Sequence, residues 1–106
     1  MKALIQRVKR ASVTIDNELY SKIGAGLLVF LGVEKADSEE NADKLVDKIS
    51  KLRIFEDENE KMNNSIMDVS GEMLVVSQFT LCGDCKKGTR PSFDAAAKPE
   101  DAVRLY

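Results

Sequence analysis

Three polar side chains, Ser77, Gln78 and Thr80, directly follow the hydrocarbon run at residues 73–76. Hydroxyl and amide groups can bind a polar ligand, and a threonine hydroxyl becomes a nucleophile when a base lies beside it. In a regular strand, Gln78 and Thr80 share one face and Ser77 lies on the other. At the end of a buried strand each would need a partner or cost roughly 1–3 kcal/mol. The pattern therefore predicts a ligand site rather than a plain core strand.

A basic loop punctuated by glycine and proline follows this strand end. It contains Lys86, Lys87, Gly88, Arg90 and Pro91. Proline holds the preceding Arg90 extended, where its side chain can reach a phosphate or pair with an acid. On a chain of net charge −2, such a local cluster fits a weakly held anionic ligand. Scattered, solvated surface charge is the alternative interpretation.

The absence of histidine narrows the chemistry. It excludes Ser-His and Cys-His catalysis and removes the commonest zinc ligand. No base stands beside Thr80 in the sequence, so a nucleophile and an ordinary strand threonine both remain open. Cys82 and Cys85 form a CxxC pair, but Gly88 and Pro91 interrupt the long helix that a redox motif needs. Two reduced thiols are expected, with no metal and no cofactor.

Length and patterning place the chain among small soluble proteins. Its 106 residues make one domain. The longest apolar run, residues 25–33, is far short of the roughly 20 residues that cross a bilayer, so no membrane association is expected. Charge follows the N-terminus too closely for a secretory signal, and a cytoplasmic protein is predicted.

The elements that would position the polar strand end are predicted as follows. Residues 11–15 and 19–23 read as a hairpin, and residues 27–31 as a central strand covered on both faces. Asp37 or Ser38 caps an amphipathic helix that covers the sheet. Residues 73–81 form the strongest later strand. Residues 92–97 suggest a short helical turn, and Pro99 starts a last helix that ends after about two turns.

Five segments taken together resemble the D-aminoacyl-tRNA deacylase family along the whole chain. They are residues 1–8 (MKALIQRV), 23–29 (IGAGLLV), 52–55 (LRIF), 77–81 (SQFTL) and 90–93 (RPSF). The resemblance implies an α+β fold, an antiparallel β-barrel-like subunit with one or two covering helices that forms a homodimer. It also implies hydrolysis of the ester joining a D-amino acid, or glycine, to the terminal adenosine of tRNA, which enforces chirality in translation.

The family's Ser-Gln-x-Thr motif lines its pocket, so Ser77, Gln78, Phe79 and Thr80 inherit that role. The resemblance implies RNA-assisted chemistry, in which a ribose hydroxyl helps to activate the attack and protein backbone groups orient the ester. Thr80 then positions the substrate rather than attacking it.

Other predicted substrate contacts lie outside that motif. The resemblance places Pro91 and Phe93 near the adenosine and makes Arg7 a residue that braces the site. The charge of the loop that contains Gly88 and Arg90 suggests contacts with phosphates.

One family feature is absent. The family's third motif, Asn-x-Gly-Pro-Val-Thr, enters the partner's pocket and excludes L-amino acids, but neither Pro91 nor Pro99 follows a glycine. The chain is therefore expected to be incomplete, lacking the family's C-terminal strands. Two alternatives stay open: an editing domain like that of archaeal threonyl-tRNA synthetase, and a non-catalytic RNA-binding β-barrel.

Overall fold

The structure is a computed structural model that describes all residues from 1 to 106. The chain forms four strands, a helix, three further strands, a 3₁₀ helix at Phe79–Cys82 (here called the 3₁₀ turn) and a last helix. The strands are β1 Lys2–Val8, β2 Ala11–Ile15, β3 Glu18–Ile23, β4 Gly26–Gly32, β5 Phe55–Glu56, β6 Met62–Asn64 and β7 Glu72–Ser77. The helices are α1 Glu39–Lys51 and α2 Pro99–Leu105.

The central sheet has the strand order β1-β4-β7. β1 runs antiparallel to β4, whereas β7 runs parallel to it. The chain returns from the end of β4 through α1, β5 and β6 before β7 starts beside Gly26, which is the long crossover that parallel pairing requires. The α+β prediction is confirmed. The antiparallel barrel is wrong, because the central sheet is mixed and the pairs β2-β3 and β5-β6 remain separate sheets that close no barrel.

The predicted central strand is confirmed in β4. Its residues Leu27 and Val29 are each only 1% exposed. They form one cluster with Ile49 of α1, Phe55 of β5 and Ile66. α1 and the β5–β6 region cover this face, while Leu28 and Phe30 on the opposite face are half-buried.

The predicted helix is confirmed, and Ser38 is the residue that caps it. The Asn41 side-chain oxygen accepts the backbone N–H of Ser38 at 2.9 Å. Asp37 has a different partner, because its carboxylate contacts the Met1 amino group at 2.7 Å and accepts the Glu34 backbone N–H at 2.8 Å. These contacts hold the start of β1 against the segment that leads into α1.

The predicted strand at residues 73–81 is correct only as far as Ser77, where β7 ends. The Gln78 N–H donates to the Leu31 carbonyl oxygen at 2.7 Å, and the chain then bends into the 3₁₀ turn. A Cβ on Gly32 would lie 3.0 Å from the Leu81 Cβ and 3.2 Å from the Cys82 Sγ. The turn therefore packs closely over the end of β4, at a glycine whose missing side chain leaves room for it.

The predicted helix at Pro99 is confirmed as α2. The hydroxyl of Tyr106 donates to the Val75 carbonyl oxygen of β7 at 2.6 Å, and Arg104 lies 3.4 Å from the Glu39 carboxylate. At residues 92–97, the structure shows two isolated bridges, at Ser92 and Ala96, with a turn between them instead of the predicted helical turn. No helix combines the length and the hydrophobicity needed to span a membrane.

Candidate active site

The polar residues predicted as the site lie where β7 passes into the 3₁₀ turn. Ser77 and Thr80 are exposed and Gln78 is half-buried. The Gln78 side-chain amide donates a hydrogen bond to Thr80 Oγ1. The predicted burial of these groups is wrong, because the bend of the turn carries them to the surface. Their polar atoms can therefore contact a ligand, because they are not buried in the core.

The contact between Gln78 and Thr80 limits what Thr80 can do. A side-chain amide donates and accepts hydrogen bonds but takes no proton at neutral pH. A threonine hydroxyl needs an adjacent base to become an effective nucleophile. The only side-chain partner of the Thr80 hydroxyl in the structure is the Gln78 amide. The arrangement therefore suits orientation of a polar substrate better than nucleophilic attack.

An aromatic pair forms one side of this surface. The rings of Phe79 and Phe93 meet edge to face, with centroids 5.3 Å apart and planes inclined by 69°. Phe79 is 57% exposed and Phe93 36% exposed. A Cβ on Gly83 would lie 3.0 Å from Phe93 Cε1, so this glycine lets the ring approach the backbone. The sequence reasoning missed Gly83, whose signal is its place inside the CxxC segment.

The basic loop begins and ends at a two-residue bridge. Asp84 and Ser92 exchange backbone hydrogen bonds of 2.7 and 2.8 Å, and Asp84 Oδ1 accepts the Lys86 N–H at 2.9 Å. Gly88 has a φ of 73°, a left-handed conformation that favours glycine. Lys86, Lys87, Arg90 and Pro91 are exposed, and no ion pair in the structure includes the three cations. The loop thus presents free positive charge next to the aromatic pair.

Arg7 lies at the other end of the sheet. Ser77 pairs with Leu31, which pairs with Ala3 on β1, and Arg7 is four residues beyond Ala3. At 3.3 Å per residue this is roughly 13 Å along the strand. Arg7 donates to the Ile54 carbonyl oxygen at 2.8 Å. Within one chain the structure does not bring Arg7 to Thr80, and its bracing role stays a prediction.

The two cysteines have different surroundings, and neither forms a disulfide. Cys82 is 2% exposed and its Sγ lies 3.7 Å from the Val33 carbonyl oxygen, whereas Cys85 is exposed. Burial, with a smaller effect of the Glu34 carboxylate, raises the pKa of the Cys82 thiol above its usual value. No three histidine, cysteine, aspartate or glutamate residues lie close enough together to hold a metal ion.

Native protein treated with iodoacetamide is expected to react at Cys85 and not at Cys82. A raised pKa lowers the thiolate fraction at any given pH, and burial blocks access as well. Tandem mass spectrometry locates the label, and the Cys85→Ser variant should stay unlabelled until the protein is denatured. Equal labelling of both native cysteines would contradict the buried environment of Cys82.

Comparison with known proteins agrees with this architecture. A family model described as D-Tyr-tRNA(Tyr) deacylase matches residues 4–106. The curated D-aminoacyl-tRNA deacylases of Thermodesulfovibrio yellowstonii and Pseudoalteromonas translucida are 59% and 60% identical to the chain over all 106 residues. The chain covers 73% of the length of each of these relatives. The chain belongs to the D-aminoacyl-tRNA deacylase family.

Two solved structures share the fold. One, titled c-Myc DNA unwinding element binding protein, superposes with a TM-score of 0.94 at 46% identity and is covered by the chain over 71% of its length. The other, a probable eukaryotic D-amino acid tRNA deacylase, has a TM-score of 0.81 at 19% identity and is covered over 61%. The two superpositions include 100% and 98% of the residues of this chain, respectively.

Proposed function

We propose that the protein hydrolyses the ester bond of D-aminoacyl-tRNA and releases a free D-amino acid and tRNA. The proposal rests most directly on the hydrogen-bonded pair Gln78 and Thr80, which stands exposed at the end of β7 beside an aromatic wall. Support also comes from 59–60% identity to relatives that carry this name. The same chemistry extends to glycine esterified to tRNA, since glycine lacks the side chain that distinguishes L- from D-amino acids.

The reaction needs little from protein side chains. Water attacks the ester carbonyl carbon, the bond to the ribose oxygen breaks, and the products are a carboxylate and the restored ribose hydroxyl. Without histidine, the neighbouring ribose hydroxyl of the substrate assists the attack. Gln78 and Thr80 orient the ester. Phe79 and Thr80 are the first residues of the 3₁₀ turn, so their backbone N–H groups have no partners within the turn. These groups can donate hydrogen bonds to the carbonyl oxygen of the substrate ester.

The surroundings of the pair fit the end of a nucleic acid. Phe79 and Phe93 offer exposed aromatic rings on which the terminal adenine can stack, and exposed Pro91 lies two residues before Phe93 in the chain. Arg90, with the other cations of the basic loop around Gly88, supplies contacts to phosphates. In this proposal Ser77 completes the polar rim of the site.

The assembly and compartment are part of the same proposal. We infer a homodimer that acts in the cytoplasm, where aminoacyl-tRNA is made. Several apolar side chains stand more than half exposed on one chain, including Ile15 and Tyr20 of the β2–β3 hairpin. Apolar exposure of this kind fits contact with a second copy.

Hydrolysis of D-tyrosyl-tRNA by the protein is expected to exceed the spontaneous rate, and L-tyrosyl-tRNA is measured in parallel at equal enzyme concentration. The assay follows release of radiolabelled tyrosine, and an enzyme-free reaction gives the spontaneous rate. Preferential hydrolysis of L-tyrosyl-tRNA would contradict the assignment of D-aminoacyl-tRNA as the substrate.

A binding-only function is the second candidate, because one solved relative is named for binding a DNA element. A parallel measurement of tRNA binding separates the two functions. Retained tRNA binding with no hydrolysis of either ester would favour the non-catalytic module.

A further inference from the structure

A second concave surface, here called the basic hollow, lies at the β1–β2 connection and the base of the β2–β3 hairpin. It encloses about 440 Å³. Ser12 and Lys22 are direct cross-strand partners, so their side chains leave the same face of the hairpin. The complete lining is Arg10, Ala11, Ser12, Leu19, Lys22 and Ile23. It combines two cations and a hydroxyl with an aliphatic floor.

The positive charge of the basic hollow is not neutralised within the protein. No ion pair in the structure includes Lys9, Arg10 or Lys22, and no acid lines the hollow. Glu72 borders an adjoining depression with Lys22, but its carboxylate accepts the Gly24 N–H at 3.2 Å. An anion can therefore bind here without breaking an internal pair.

The chemistry of the lining fits a sugar-phosphate chain. The Arg10 guanidinium can hold two oxygens of one phosphate, the Lys22 ammonium adds a point charge, and the Ser12 hydroxyl donates a further hydrogen bond. Leu19, which is 57% exposed, offers an aliphatic surface to ribose. Exposed side chains such as Arg10 and Lys22 leave the hollow open, so an extended chain can pass through it.

The basic hollow is separate from the candidate active site. Ser77 aligns through Leu31 with Ala3, and β1 then runs five residues to Val8, just before Arg10. Five residues of strand span roughly 17 Å, which exceeds the length of a single nucleotide. A ligand that reaches both places must extend well beyond the terminal adenosine.

We propose that the basic hollow binds backbone phosphates of the tRNA whose aminoacylated 3′ end occupies the 3₁₀-turn site. This inference rests on the proposed function. It assigns Arg10, Ser12 and Lys22 to recognition of the tRNA body, independent of base sequence. The ester itself is handled at the other end of the sheet.

The double variant Arg10→Ala, Lys22→Ala tests this assignment. Binding of uncharged tRNA, followed by fluorescence anisotropy, should weaken about tenfold at 0.1 M salt. The slope of log K against log salt should shrink by about one to two, since each lost phosphate contact contributes about 0.9. Hydrolysis of the 3′-D-tyrosyl ester of adenosine, which lacks the tRNA body, should equal that of the unmodified protein.

The matched control is Lys44→Ala, Lys48→Ala, which removes the same charge from the exposed face of α1. Equal affinity and salt slope in the two double variants would overturn the proposal, as would an unmodified protein that does not bind tRNA. Failure to hydrolyse either ester would count against the proposed function alone. A selective loss of tRNA binding in the first double variant would still support the basic hollow.

Discussion

Replacing Gly26 by alanine is expected to lower the free energy of unfolding by about 3 kcal/mol or more. A Cβ at this position would lie 1.7 Å from the carbonyl oxygen of Glu72 and 2.7 Å from its backbone nitrogen. Gly26 and Glu72 are paired where the parallel strands β4 and β7 begin. Since backbone atoms cannot rotate away as a side chain can, the two strands must separate. The melting temperature should fall by about 12 °C or more.

Gly24→Ala is the matched control for this substitution. Its added Cβ would lie 3.4 Å from Glu72 Oε1, an ordinary van der Waals contact. Gly24 is exposed, and no left-handed backbone conformation requires glycine there. Urea unfolding followed by circular dichroism should show a change within about 0.5 kcal/mol. If Gly26→Ala melts within about 2 °C of the unmodified protein, the close pairing of β4 and β7 at this point is wrong.

The elements with strong local signals were predictable from the sequence. α1 combines a capping serine, acids in its first turn and an apolar stripe, all of which depend only on neighbouring residues. β4 was recognisable because a short apolar run between glycines suits a strand covered on both faces. These local signals say nothing of strand direction. The parallel pairing of β7 follows from the crossover through α1, and the prediction of an antiparallel barrel failed there.

The sequence indicated which residues form the candidate site, but it did not indicate the bend of the backbone that positions them. The types and order of Ser77, Gln78 and Thr80 predict a ligand site near the basic loop, but the structure places these residues at the surface and not at the buried strand end that was expected. The bend after Ser77 could not be foreseen, because it depends on the close approach of Leu81 to Gly32, more than forty residues away in the chain. A strand pattern carries no information on such a contact.

Arg7 illustrates a second limit of the sequence. Its predicted place in the site came from the resemblance to the family, which assigns a role to Arg7 but gives no distance to the other site residues. Only the register of β1 with β4 and β7 shows that Arg7 and Ser77 lie at opposite ends of the sheet.

Thr80→Ala is expected to lower kcat/KM for D-tyrosyl-tRNA about ten- to a hundredfold. Loss of one or two hydrogen bonds that orient the ester is worth this much, at tenfold for each 1.4 kcal/mol. Removal of a catalytic nucleophile costs on the order of a millionfold. The size of the loss, measured by deacylation kinetics, therefore separates orientation from covalent catalysis. Thr80→Ser keeps the hydroxyl and should stay close to the activity of the unmodified protein.

The partner of Thr80 provides the decisive comparison. Since the Gln78 amide and the Thr80 hydroxyl share one hydrogen bond, Gln78→Ala should cost about as much as Thr80→Ala. The double variant should then lose less than the product of the two single effects. Mass spectrometry of quenched reactions should find no D-tyrosyl group on the protein. A covalent adduct at Thr80 with a loss above about ten-thousandfold would establish Thr80 as the nucleophile, and the pair would then need a base that the single chain does not supply.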